Sequence, residues 1–501
     1  MAPECYVKID PAASEQLVSL LKASRCVLQL PSDADNRDAA FVLTGRATVA
    51  HCDLLIAVWD GLPARGRGGT AETVEVALTR GTPVLHIPLE EGAPEALIWS
   101  AFDPVVITAP GDRCCRRALT PALLRSVLEA LLAPPAARIE RDFVRRFLGE
   151  RDRTVRWRVE YPLLMLLTGT KRLSRKDLSA RPQQQAIARE WRDFKDACLG
   201  RHGVAAPLDE LEQAYGWSDR LATHYAQTYR SSHVLNFLLA ALGAWIGLSG
   251  LVLAANPLAL ALAEFAVVLV VVVNTLTGSR RCWHQRWLDY RQLAERLRPM
   301  RSFKLLGIAA PDPPGSAAEP VARRWMDWYS AAIWRTVGCP AGRMSPADVE
   351  RLASAMRERE LQPQIDYNRR NAEEAERLDA RLEVAGLSLF IATLAITVGV
   401  IVGLEFRPDL VRALGNWTTV FSAGLPALGT AIFGIRVQGD YGAAAARSRT
   451  TAALLDRIAG ELGGTADLGR AADLMEQAGR VMLADLGEWR LVNELHELSL
   501  G

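Results

Sequence analysis

The 501-residue chain has no Cys-x-x-Cys pair, no metal-spaced His or Cys cluster, and almost no net charge. Its eight cysteines (Cys5, Cys26, Cys52, Cys114, Cys115, Cys198, Cys282, Cys339) are scattered, so neither a zinc site nor a disulfide framework is expected. The 59 basic residues nearly cancel the 57 acidic ones, leaving +2 and no global field that would draw nucleic acid. No Ser-His-Asp constellation is visible, and nothing indicates a cofactor. The first 25 residues hold Glu4, Lys8, Asp10 and Glu15 and lack a continuous apolar run. A cleaved signal peptide is therefore not expected, and the N-terminus should stay in the cytosol.

What the chain does have is four long apolar segments in two pairs. They are Val234–Ala255 with Leu258–Leu276, and Val384–Leu404 with Trp417–Ile435. Each approaches or exceeds the roughly 20 residues that a helix needs to cross the hydrocarbon core. Arginines flank their predicted inner ends: Arg280, Arg281, Arg286 and Arg291 after the second, Arg369, Arg370, Arg377 and Arg381 before the third, and Arg436, Arg447 and Arg449 after the fourth. The positive-inside rule puts both termini and the central segment in the cytosol, with outer loops of about two and about twelve residues. Glu264 lies within the second span and Asn274 near its inner end. A polar residue there faces the bundle interior, lines a polar path or is held for packing. Small residues such as Gly243, Gly247, Gly424 and Gly429 permit close helix approach. Below the membrane, Trp283, Arg286 and Trp287 read as interfacial anchors.

The segment 1–135 reads as an α/β domain with a parallel, Rossmann-like but incomplete sheet. Its predicted strands are Val27–Leu30, Asp53–Val58, Pro83–Ile87 and Val105–Thr108, alternating with helical segments. The rest reads as all-α: a helical segment over 138–307, a linker region over 308–344 marked by Pro311, Pro313, Pro314 and Gly315, and a second helical segment over 345–501. Ser345-Pro346 opens a long helix into the third span, with Pro363 expected to kink it. Each membrane segment shares one organisation, a charged helix, two spans and a charged helix.

The strand Asp53–Val58 runs to Asp60-Gly61, at the carboxyl edge where parallel sheets bind ligands. Arg65-Gly66-Arg67-Gly68-Gly69-Thr70 then leads into a helix. Glycine lets a backbone approach an anion, Thr70 is placed to cap, and free N–H groups at the helix start face a phosphate. Arg65 and Arg67 add charge, and Glu72 is placed to accept from a ribose hydroxyl or to act as acid/base. A tight strand-to-helix turn that needs glycine only for sterics explains the same spacing.

Residues 45–87, through Gly45-Arg-Ala-Thr-Val-Ala-His-Cys-Asp53, Gly68-Gly-Thr-Ala-Glu72 and Gly81-Thr-Pro-Val-Leu-His-Ile87, resemble the nucleotide-binding half of the SLOG superfamily. That superfamily is Rossmann-like and includes phosphoribohydrolases. The hydrolases' Pro-Gly-Gly is replaced here by Arg65-Gly-Arg-Gly, and Thr73 stands where they carry Glu. A first strand and Gly-rich turn that normally precede this region are expected to be missing. Tyr229–Leu239, Arg281–Arg298 and Met482–Arg490 resemble the SLATT group of two-transmembrane effector modules. The two resemblances together imply a bacterial inner-membrane sensor-effector, homo-oligomeric and active in defence. It would sense a nucleotide-derived small molecule in the cytosol and act on the lipid bilayer. Two other readings stand beside it: a membrane-tethered nucleotide hydrolase using Glu72, and a structural membrane assembly protein.

Overall fold

The computed structural model describes residues 13–31, 36–100, 114–198, 204–253, 256–311 and 324–494. The N-terminal elements are α1 (Ala13–Ala23), β1 (Leu28–Gln29), α2 (Arg37–Ala50), β2 (Leu55–Trp59), α3 (Thr70–Thr79), β3 (Val84–Pro88), β4 (Ala96–Ser100), β5 (Cys114–Ala118) and α4 (Pro121–Leu132). Asn36 caps α2 by accepting from the Ala39 amide, and Thr120 caps α4 by accepting from Leu123, with Pro121 in the first turn.

The expected parallel sheet is found only in part. β2 and β3 are parallel, in register from Leu55 opposite Val84 to Trp59 opposite Pro88, but β4 is antiparallel to β3 and β5 antiparallel to β4. The connection Leu89–Glu95 is the reason, because it is too short for the crossover of a dozen or more residues that a parallel neighbour needs. The sheet is therefore a small mixed one, ordered β2-β3-β4-β5. Ile98 faces Val49, Val74 and Ala77, while Leu97 and Trp99 face Val127 and Leu131, so helices cover both sides. The expected strand Val105–Thr108 lies outside the described residues.

The expected first strand joins a different sheet. β1 runs parallel to β7 (Ala341–Arg343), which pairs antiparallel with β6 (Val204–Ala205). Leu30, 4% exposed, belongs to the core of the helical body. Apolar identity made Val27–Leu30 a strand without specifying which edge would take it.

That body comprises α5 (Arg138–Leu148), α6 (Glu160–Leu167), α7 (Arg175–Leu178), α8 (Arg181–Cys198), α9 (Asp209–Ser249), α10 (Pro257–Arg280), α11 (Trp283–Leu297), α12 (Met300–Leu306), α13 (Trp325–Val337), α14 (Pro346–Met356), α15 (Gln362–Phe406), α16 (Pro408–Gly439), α17 (Tyr441–Leu462) and α18 (Leu468–Glu494). Its core outside the spans is aromatic, with Phe147, Trp191, Tyr215, Tyr225, Tyr290 and Trp325 nearly inaccessible. Ser345 caps α14 as expected, with Asp348 completing a capping box. At Pro363 the helix does not simply kink. A π-helical turn, Arg357–Leu361, precedes it and absorbs the missing N–H by changing the hydrogen-bond register.

Among the described residues four helices are long and apolar enough to cross a membrane: Asp209–Ser249, Pro257–Arg280, Pro346–Phe406 (counting the π turn) and Pro408–Leu462. The outer connections differ from expectation. Gly250–Asn256 joins the first pair, and Arg407 alone joins the second, because the polar stretch from Pro408 to Asn416 is already helical. Each second span leaves the membrane through one non-glycine residue in the left-handed region, Cys282 (φ 51°) and Asp440 (φ 47°). The shared organisation of the two membrane segments thus extends to their exit joints.

The spans pack in the order second, first, fourth, third, as an open row. Close approach at the central contact depends on glycine: a Cβ on Gly424 would lie 2.7 Å from the Trp245 ring, and one on Gly434 would strike Phe237. The apolar window of the third span is 0% buried within the chain and that of the second 11%, so both present their faces outward.

One consequence of the β1–β7 pairing is directly measurable. Cys26 and Cys339 sit just before the paired strands, both exposed and brought near each other by the Leu28–Gly342 pairing. Mild oxidation of the full chain in detergent should join them, giving a Cys26–Cys339 cross-linked peptide by mass spectrometry. A β1 strand housed in the β2–β5 sheet would give no such peptide.

Candidate functional site

β2 carries the chain to Asp60, which bonds back onto its own loop. Its Oδ1 accepts from the Leu62 amide at 3.0 Å and its Oδ2 pairs with Arg65 at 3.2 Å. Gly61 takes φ 79°, while Arg65, Gly66 and Arg67 are exposed to solvent. Beyond them the chain folds onto α2. Gly68, at φ 79°, packs where a Cβ would come within 2.6 Å of Phe41 Cβ and 2.8 Å of the Asp38 carbonyl oxygen. The helix cap is Gly69 rather than the expected Thr70, which is the first helical residue. Gly69 therefore contributes no side-chain cap, and Glu72 fills the place: its carboxylate accepts the Gly68 N–H. The anion-facing amide of the loop is already occupied by an anion of this chain.

The predicted residues divide accordingly. Asp60, Gly61, Arg65, Gly66 and Arg67 form the outer limb of the loop. Gly68 and Glu72, joined by Thr73, line a groove of about 300 Å³ between α2, α3 and α18. Sequence reasoning missed the opposite wall. Arg46 of α2 pairs with Asp473 of α18 at 2.7 Å, and Arg80, just after α3, pairs with Glu476. Glu476 also accepts from the Ala310 amide at 3.1 Å. The spacing of Asp473 and Glu476, one helical turn apart, was visible in the sequence, but their partners were not.

A second seam holds the α/β unit against the helical body. Arg335 pairs with Asp53 at 2.9 Å and donates to the Leu131 carbonyl, while Trp334 Nε1 donates to the Ala50 carbonyl. His51 stacks on Trp334 and bonds through Nε2 to the Gly307 carbonyl, at 3.1 Å. Burial, reinforced by nearby Lys304, lowers the His51 pKa to about 4. Lys304 donates to the Gly338 carbonyl and lies over the Trp334 ring, contacts that favour its charge. Burial outweighs them and lowers its pKa to about 7.

The two polar residues of the second span have separate environments. Asn274 is buried at the inner end, donating to Asn236 Oδ1 at 2.8 Å and accepting from Arg158 at 2.9 Å. Arg158 also reaches Ser232 and Glu160, so an arginine from outside the spans ties the first two span helices together. Glu264 lies beside Gly247 of the first span and has no hydrogen-bond or ion-pair partner among the described residues. Nothing in the structure brings Glu264 or Asn274 near the glycine loop. Among the described residues no cluster of His, Cys, Asp or Glu has the arrangement of a metal site.

These features define a class, a multi-span helical membrane protein carrying a small mixed α/β unit. Residues 213–302 match the family described as "Protein of unknown function (DUF4231)", which covers α9, α10, α11 and the start of α12. No curated protein and no solved structure matches the chain significantly.

Two outcomes follow from this geometry. Gly68→Ala should destabilise the chain by about 1–3 kcal/mol, through both the left-handed backbone and the Phe41 contact, read as a lowered melting temperature in detergent. Gly66→Ala, with nothing near its Cβ position, should cost little. Separately, Lys304 has a folded pKa below its unfolded value of 10.5, so the unfolded chain binds more protons between about pH 7 and 10.5. Stability should rise with pH through that window, and Lys304→Met should flatten the rise. His51 acts likewise at lower pH, so stability should fall on acidification from 6.5 towards 4.

Proposed function

We propose that the chain is a sensor-effector of the bacterial inner membrane, with both termini cytosolic. A nucleotide-derived anion entering at the glycine loop is sensed by the α/β unit, and the spans then perturb or permeabilise the bilayer in a defence response. The observation that carries this reading is the state of the groove donors. The Gly68 amide, Arg46 and Arg80 are each held by a carboxylate of this chain, and two of those carboxylates, Asp473 and Glu476, belong to α18. A phosphate competing for the same donors displaces them. Exposed Arg65 and Arg67 add attraction at the mouth, and Thr70 and Gly69 present the start of α3.

Release of α18 reaches the membrane through packing. α18 lies against α17, the cytosolic continuation of the fourth span, and against α11, which continues the second. The open row of spans encloses no lumen between its two ends, so permeabilisation is the work of several copies closing their rows together. Glu264, beside Gly247, supplies a polar group for such a closed assembly.

The test is dye release from liposomes holding the full chain, with and without a panel of nucleotides. Ligand-dependent release is expected, and Thr70→Ala with Glu72→Ala should abolish its ligand dependence and its toxicity in cells. Absence of ligand-dependent release, together with unchanged toxicity of the double variant, would sink the proposal.

A further inference from the structure

Below the spans, α9 and α15 run on, α11 and α17 follow the second and fourth spans across their joints, and these four helices line a second cavity, of about 250 Å³, remote from the glycine loop. Arg230 comes from α9, Arg291 from α11, Asn371 from α15, and Arg447 and Ser448 from α17. Three arginines thus face one carboxylate, Glu295, among the lining residues, with neutral polar groups making up much of the rest. Two of the arginines are committed. Arg291 pairs with Glu295 at 2.7 Å and Asp219 at 3.5 Å, and Arg447 with Asp440 at 3.3 Å.

Arg230 is the exception. It packs against the rings of Tyr161 (5.4 Å) and Trp287 (5.1 Å), and it has no carboxylate or hydrogen-bond acceptor among the described residues. Ring contacts of this kind consume none of a guanidinium's N–H donors, and a guanidinium with its donors unspent receives a phosphate in two parallel hydrogen bonds. Ser448, buried, accepts from Asn371 at 2.9 Å and keeps its own hydroxyl proton to donate. The cavity opens to solvent beside exposed Tyr367, so an anion has a way in to these donors.

We infer that this stalk cavity binds a phosphate-bearing anion, held chiefly by Arg230. Two sources share that chemistry: a soluble phosphate compound, or the headgroup of an anionic phospholipid reaching down from the inner leaflet, since Arg230 lies about one turn below the start of the first span. Because each span contributes a wall, the bound anion senses the relative position of all four. The inference is independent of the glycine loop.

The experiment uses the full chain in nanodiscs. In neutral phosphatidylcholine discs, pyrophosphate is titrated calorimetrically. In a second arm, discs containing phosphatidic acid are analysed for retained lipid by native mass spectrometry. Saturable pyrophosphate binding that Arg230→Gln weakens at least tenfold identifies the soluble source. Retention of phosphatidic acid that Arg230→Gln lowers to a similar degree identifies the lipid. The part of either signal that Arg230→Gln removes should persist in Thr70→Ala with Glu72→Ala, which separates this site from the loop. Should Arg230→Gln fail to elute as a folded particle, Arg447→Gln and Ser448→Val carry the same test, each expected to weaken binding several-fold. Binding of neither ligand, or binding indifferent to all three substitutions, overturns the inference.

Discussion

The helical body outside the spans depends on a pair of charges withdrawn from water. Arg301, 1% exposed, meets Glu360, also 1% exposed, at 2.5 Å, and its other edge reaches Glu190 at 2.9 Å. Desolvating two ions costs several kcal/mol each, so the pair is tolerated only where the geometry is fixed and further bonds are made. Both conditions hold. Ser302 contacts the same carboxylate, and Trp191 and Phe194 stack on the guanidinium. Glu360 is delivered by the π turn, so the irregularity that accommodates Pro363 also aims the buried acid. Helices α8, α12 and the start of the third-span helix are thereby locked in one register, and both membrane hairpins are referred to it.

That rigidity gives the contacts of the α/β unit their meaning. Flexibly tethered units move without consequence for what they are attached to, but here the unit is joined by ion pairs on two faces. On one side Arg335 grips Asp53; on the other Arg46 and Arg80 grip α18. The first seam is braced by partly buried rings and carbonyls, whereas the second consists mainly of charged pairs bordering a groove. Of those pairs Arg80–Glu476 is largely buried, and Arg46–Asp473 leaves its carboxylate in solvent, where an ion pair is individually weak and open to exchange. In the proposed function Arg46–Asp473 is the point at which an incoming phosphate begins to open the seam, which touches the helices leading to the spans.

Much of this was legible in the sequence, and the remainder was hidden for identifiable reasons. Four apolar runs announce four long helices because length and hydropathy suffice, and Ser345-Pro346 announces a helix start because capping is local. The glycine loop was legible as a strand-to-helix turn. Its occupant was not, since whether Glu72 faces a ribose or its own Gly68 amide depends on where α2 packs. The antiparallel β4 was missed because Ala96–Ser100 carries no signal beyond apolarity, although the short link from β3 already ruled out a parallel crossover. β1 was recognised as a strand and assigned to the wrong sheet, because its partner lies more than 300 residues away. Asn274 was flagged as a polar membrane residue, but Arg158, which answers it, reads in sequence as one arginine among many in a charged stretch.

The arrangement of the spans limits what one copy can do. A row with glycine-mediated contacts at its centre has strong internal cohesion, and two apolar flanks with no partner in the chain. Lipid satisfies an apolar flank, so the row is stable alone. Glu264 is not satisfied by lipid, and the insertion cost of such a residue, about 2.5–3.5 kcal/mol at mid-membrane, is a standing incentive to find a polar environment. Rows meeting at their flanks would bury it between helices without disturbing the central contact. The second span therefore carries two opposed devices: Asn274, fully bonded to its neighbour and to Arg158, fixes the inner end in place, while Glu264, unsatisfied further out, favours assembly. In the proposed function this is what the arrangement serves: a membrane element fixed at its Asn274 end and unsatisfied at Glu264 lets copies rest apart and act when they come together.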